Sequence, residues 1–521
     1  MRSPLRANTA RGPISRSVPI PAPYGGLNTR DALSSLALPF APLLVNLFPG
    51  TSDLRIRKGH EAHVTGLPDQ VETVATYSKI DGTSKLFAAS SAGIYDVTSA
   101  GAVGAAVVTG LTSVRFQWVN YTNSGGTSYL CMFNGADAPR YWNGSAWIAI
   151  TGASSPAITG VTTTTLISAA VHKRRMWLIE KNTLAAWYLP VDSVGGAATK
   201  FDLAGVVKHG GYLMAIGTWT RDGGDGVDDL WIGITSEGEA VVYQGTDPSS
   251  ASTWSLVGRW KIGAPVGRRC LLEFKSDLLI LTVDGIVPVS KLAQIDPNST
   301  LTSLISNSFI YSTENYKANF GWEMTYFPNG EHLIVNVPNR EGTQQTQLVM
   351  NSTTGAWTAY EEWEFNTFVV HDGVLYAGGN LIVNKMWSSN ADDGAQIVCE
   401  AQQAFSDLGG GNNVKRFVMG RPAILSNGTP TVSLAMNTDY DIVEPTDAVT
   451  LTPISGDVWD TGVWDTAIWG GSALEVRLPW QTLTGVGIHG GVAIKMNTAG
   501  AEVRWTATDV IYERGVVMVA A

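Results

Sequence analysis

Four stretches of the 521-residue chain combine residue types that could do chemistry. Gly485-Val-Gly-Ile-His-Gly490 has the GxGxxG spacing of dinucleotide-binding loops. That motif works only where a strand ends and a helix begins, so that phosphate meets the helix N-terminus. Here strand-like stretches flank it, and a hairpin is expected instead. His60-Glu61-Ala62-His63 has metal-ligand residue types, but a zincin needs HExxH to put both imidazoles on one helical face. A surface strand is the expectation. Arg221 to Asp229 (RDGGDGVDD) offers four aspartates among three glycines. Carboxylate oxygens suit calcium, but EF-hand spacing is absent. A solvated hairpin loop is favoured, with metal binding left open. Trp459, Trp464 and Trp469 recur every five residues in VWDTGVWDTAIWGG. Such indoles could stack on sugars or pack at an interface, and packing is favoured.

Other catalytic signatures fail. Ser352-Thr-Thr-Gly355-Ala-Trp357 lacks the Asp of a sialidase Asp-box, and its Trp falls one place early. No paired carboxylates, GxSxG elbow or P-loop can be read from the sequence. Cys131, Cys270 and Cys399 form no CxxC, so buried thiols are expected rather than a zinc site or disulfides. Neither enzymatic activity nor a cofactor is expected.

The elements that would carry these residues are strands. Charged residues make up only 15%, against roughly 25% in ordinary soluble domains. The 56 glycines and 18 tryptophans favour short strands, tight turns and large aromatic anchors over helical bundles or disorder. A strand-turn-strand unit repeats about every 48 residues. Its clearest members begin near Leu86, Tyr129, Met176, Leu230, Leu278, Leu333 and Leu375. That period is typical of propeller blades. One unit reads as four strands at 114–120, 128–135, 138–144 and 146–152. Similar units run through 212–263 and 322–363. The second strand is almost wholly apolar, as burial between neighbouring blades requires.

The expected fold is all-β. It comprises an irregular β-propeller of about six or seven blades, a C-terminal β-sandwich-like domain and a short inserted helix. Boundaries are placed at 1–60 for an extended N-terminal arm, 61–395 for the propeller and 396–521 for the C-terminal β-rich domain. The helix is expected near 296–318. Asp296-Pro297 supplies a cap and a first-turn proline, and Leu301, Leu304, Ile305 and Phe309 follow at helical spacing. The arm carries Arg2, Arg6, Arg11 and Arg16 with no acid before Asp31, and several prolines. It is expected to order against a neighbouring subunit or partner. Leu36 to Phe48 is too short to span a bilayer and contains Pro39 and Pro42, so no membrane-spanning segment is expected. A net charge of −10 argues against wrapping the DNA backbone as a main activity, though not against DNA sliding past.

Several stretches, taken in order, form a family pattern. They are Gly25-Gly-Leu-Asn-Thr-Arg-Asp31, Phe48-Pro-Gly50, Leu54-Arg-Ile-Arg-Lys-Gly59 and Thr65-Gly-Leu-Pro68. Phe133-Asn-Gly-Ala-Asp-Ala-Pro139, Tyr243-Gln-Gly-Thr-Asp-Pro248 and Arg504-Trp-Thr-Ala-Thr-Asp-Val-Ile-Tyr-Glu-Arg514 follow. The series resembles the tail nozzle proteins (tail tubular protein B family) of short-tailed bacteriophages. The resemblance implies a homo-hexameric tube in the virion tail. It also implies attachment to an adaptor under the portal, docking of fibres or spikes, retention of packaged DNA and a channel for DNA ejection. Arg2, Arg6, Arg11, Arg16, Trp459, Trp464 and Trp469 are then the candidate interface residues. The alternative is a carbohydrate-binding or carbohydrate-cleaving propeller of the tail.

Overall fold

The computed structural model describes residues 15–222, 227–294, 300–411, 413–446, 448–450 and 479–515. The chain divides into two compact units. One spans His60–Gly355 and Tyr360–Ser388. The other joins the described residues up to Gly59 with Ala356–Ala359 and those from Ser389 onward.

The larger unit is a seven-bladed β-propeller. Each expected repeat start falls in or beside the second strand of a blade: Ser84–Ser90, Ser128–Phe133, Arg175–Glu180, Val227–Thr235, Asp277–Thr282, His332–Arg340 and Val374–Ser389. These strands are apolar because their two faces pack on different blades. Leu130 and Met132 point with Phe87 and Phe116 into one inter-blade core, whereas Cys131 and Phe133 face Tyr141 and Leu178 in the next. Tryptophan fills another of these inter-blade layers. Trp177, Trp231 and Trp254 pack with Tyr243 between the third and fourth blades, Trp177 stacking on Trp254 at a centroid distance of 5.6 Å. Offset aromatic packing of this kind adds to simple area burial.

The first strand of each blade lines the axis. These are the second half of Gly59–Ser78, then Gln117–Thr122, Leu166–His172, Leu213–Asp222, Leu271–Phe274, Glu323–Phe327 and Phe365–His371. Hydrogen bonds tie neighbours together. Asn120 Nδ2 donates to the Thr76 carbonyl at 2.9 Å, and the Thr218 hydroxyl to the Val171 carbonyl at 2.9 Å. Thr76 Oγ1 and His371 Nδ1 share a 2.7 Å hydrogen bond between the first and last blades, closing the ring. The long strand Gly59–Ser78 also closes it. Its second half pairs with Ser84–Ser90, while Val64 and Thr65 in its first half pair with Gly101–Ala102. Val374–Ser389 of the last blade lies along this same strand.

The inserted helix is shorter than expected. It runs Ser306–Tyr316 after a 3-10 turn at Ser303–Ile305, with Ile305 and Phe309 fully buried. The Asp296-Pro297 signal lies outside the described residues.

In the smaller unit, residues expected to form a separate arm are built into the C-terminal sheets. Ser15–Pro21 pairs antiparallel with Val503–Arg514, matching Arg16 to Tyr512 and Ile20 to Thr508. Leu47–Pro49 and Leu54–Ile56 form a hairpin whose Leu54 pairs with Trp505. The boundary drawn between 1–60 and 396–521 therefore gives way to one unit. A second sheet holds Leu43–Val45, Ile397–Gln402, Gly490–Thr498, Thr431–Thr438 and Ala448–Thr450. Its Met436 meets Phe417, from the first-sheet strand Lys415–Ser426, at Gly490, and its Leu434 meets Leu483 at Gly420.

Candidate functional site

The stretches singled out in the sequence do not converge. Gly485 and Gly490 belong to consecutive strands, Gln481–Gly487 and Gly490–Thr498, with no helix between them. Asp439 Oδ1 accepts the backbone N–H groups of Ile488 and His489 there. His60 and His63 lie on one strand. His60 Nδ1 meets Asn384 at 3.0 Å, and His63 Nε2 meets the Val97 carbonyl at 3.0 Å. No cluster of three potential metal ligands occurs among the described residues. Thr220 and Asp229 bracket the Asp-rich hairpin, but its tip at 223–226 lies outside the described residues, as do Arg2, Arg6, Arg11, Trp459, Trp464 and Trp469. Arg16 is exposed on its strand. All three cysteines are buried, and burial pushes the Cys270 thiol up to about 12.

The site that sequence reasoning missed lies on the propeller axis. Arg269, just ahead of the fifth blade's first strand, crosses to four other partners. Its Nη1 donates to Glu323 Oε2 at 2.5 Å. Its Nη2 donates to the Glu72 carbonyl at 3.0 Å, Thr73 Oγ1 at 3.0 Å and the Phe116 carbonyl at 3.1 Å. One guanidinium thus links four blades. Glu323 also accepts from Thr367 Oγ1 and the Phe368 N–H, each at 3.1 Å. The two side chains are only 12% and 9% exposed, so the pair is desolvated and depends on these added hydrogen bonds.

A second cation sits beside it. Arg115 donates to Glu72 and Glu341 and lies 4.3 Å over the Phe320 ring. Burial opposes its charge, but the two carboxylates outweigh this and hold its pKa above the ordinary value. Arg268 differs. Its Nη1 donates to the Met214 carbonyl at 3.2 Å and its guanidinium lies 5.4 Å from the Tyr212 ring centre. Burial pulls its pKa below the ordinary value, with Tyr212 and Cys270 acting in the opposite sense.

Gln117, Arg268 and Arg269 partition two cavities. The one within the ring holds about 370 Å³ and is lined by first strands of six blades. The other, about 530 Å³, opens where those strands begin, and the segment after the inserted helix, Lys317 to Trp322, forms one wall. Arg268-Arg269 is one of two arginine doublets in the sequence, the other being Arg174-Arg175, so the doublet alone did not mark the site. The carboxylate partners could not be read from spacing.

No family model and no curated protein matches this chain. Solved structures do resemble it. The N-terminal BBS1 domain in complex with ARL6DN shares 10% identity at a TM-score of 0.39, over 65% of this chain and 99% of that one. The Swd1 β-propeller domain of Myceliophteria thermophila shares 14% at 0.38, over 61% and 97%. YCF48 bound to D1 peptide shares 13% at 0.34, over 63% and 94%. At such identities the likeness concerns the fold alone.

Proposed function

We propose that this chain is a structural protein of a short phage tail, forming the distal nozzle as a ring of six. The observation that carries the reading is the ordered series of family-like stretches, together with what those residues do. They are structural pins. Asn28 is buried, accepts the N–H groups of Arg30 and Asp31, and donates to Asp31 Oδ2 at 2.8 Å. Gly26 has φ +87° and abuts the Trp357 backbone, where a Cβ would fall 2.5 Å from the carbonyl oxygen. Arg57 is fully buried in a two-pronged ion pair with Asp392, at 2.8 and 2.6 Å, and donates to Asn46 at 2.8 Å. The stretches near 48–56 and 504–514, far apart in sequence, meet as paired strands.

On this reading the protein is not an enzyme. It binds an adaptor above and fibres or spikes at its side, and duplex DNA passes through the assembled tube. The propeller axis cannot be that passage, because Arg269 spans it. The lumen must therefore lie between subunits, where a predominantly acidic surface would keep phosphate from sticking. A ring of six requires head-to-tail contacts that close. No helix among the described residues is long and apolar enough to cross a membrane. Electron microscopy of the purified chain with its adaptor tests the reading. Six-fold rings are expected, and a chain that stays monomeric with the adaptor present overturns it.

A further inference from the structure

We infer that the outer axial cavity of the propeller is a binding site for a small monocarboxylate with an apolar body. The inference stands independently of the nozzle reading. The cavity holds about 530 Å³, within the range of small-molecule sites. Four cations line it: Arg115, Arg268, Arg269 and Lys317. Among the described residues, no acidic one does. Arg115 and Arg269 are already matched by Glu72, Glu341 and Glu323. Among the described residues, Arg268 and Lys317 have no carboxylate within 4.0 Å. Four cations against three carboxylates leave a single positive charge in surplus, which suits a monoanion better than a phosphate dianion.

Chemistry and shape agree on the class. Arg268 engages one backbone carbonyl and an aromatic face, and neither neutralises it. A guanidinium presents five donors in a planar fork that matches a carboxylate. Taking such a group partly out of water without a counter-charge is unfavourable, so an arriving carboxylate is rewarded. Ile167, Met214, Pro265, Val283 and Phe320 supply apolar surface around it. Lys317, exposed at the rim, adds attraction from outside.

The test uses the full chain and isothermal titration calorimetry. The probes are benzoate, phenylacetate and pentanoate, with benzamide as the neutral match to benzoate. At least one carboxylate should bind saturably with one site per chain, and benzamide should bind at least tenfold more weakly. R268Q should weaken carboxylate binding about tenfold or more, the loss of a charge-assisted contact. R174Q, which removes a surface arginine paired with Asp192 on the third blade, should leave it unchanged. Should R268Q fail to fold, the benzoate–benzamide comparison on the unmodified chain still decides. No binding by any of the three carboxylates, equal binding of benzamide, or a folded R268Q that binds as well as the parent overturns the proposal.

Discussion

Breaking the axial ion pair should unfasten the propeller. R269M strips four hydrogen bonds at once and leaves Glu323, 9% exposed, without its cation. Removing one partner of a buried pair costs about 3–5 kcal/mol. At roughly 2 °C per kcal/mol, the low end for large domains, the melting temperature should fall by about 6–10 °C. E323Q keeps the shape but not the charge, and loses acceptor capacity toward Thr367 and Phe368, so it should fall by a similar amount. The double variant R269M/E323Q decides whether the charges are coupled. It should cost at least about 1.5 kcal/mol less than the two single effects combined, because each single variant strands the other charge. Differential scanning calorimetry of the three variants provides the readout. Single shifts below about 2 °C, or strict additivity, would refute the idea that this pair holds the blades.

Four further outcomes are expected. R57M should destabilise the smaller unit by about 3–5 kcal/mol in chemical denaturation, since it strands Asp392 beneath Gly59 and Asn46; a loss under 1 kcal/mol would contradict this. His332 is buried, and desolvation pushes its pKa down to about 3 from an ordinary 6.5. Below pH 6.5 the unfolded chain takes up a proton that the folded one refuses, so stability should fall by about 1.4 kcal/mol per pH unit as pH drops toward 3. H332Q should remove that portion of the acid slope, and an unchanged slope counts against it. Deleting residues 2–14, which spares the strand Ser15–Pro21, should reduce ring or tail assembly while leaving the monomer folded, as scored by gel filtration and circular dichroism. Replacing Trp459, Trp464 and Trp469 together by Ala should impair assembly or fibre docking, and intact assembly with intact docking would show these residues to be dispensable.

The second strands of the blades were legible because each is sandwiched between two blades, which makes it apolar on both faces and gives an unmistakable run such as Leu278–Leu281. The first strands were harder to read, since their axial residues include polar groups such as Thr76, Thr218 and Glu323. Ring closure was invisible, because it joins Thr76 to His371 across nearly the whole unit. The same reason hid the smaller unit, whose Leu54 pairs with Trp505. Local periodicity carries no trace of such partners. The axial site escaped for a related cause. Glu72, Arg115, Arg269 and Glu323 come from four different blades and become a cluster only once the ring is closed. The helix boundary shifted because hydrophobic spacing marks the buried face, Ile305 and Phe309, more sharply than the point where helical hydrogen bonding begins.

The nozzle reading is tested most directly by the mass of the assembled particle. Mass photometry of the full chain, alone and with its adaptor, should show a species near six times the 55.6 kDa chain mass, or a multiple of that ring carrying adaptor. A single species at one chain mass under both conditions would contradict it.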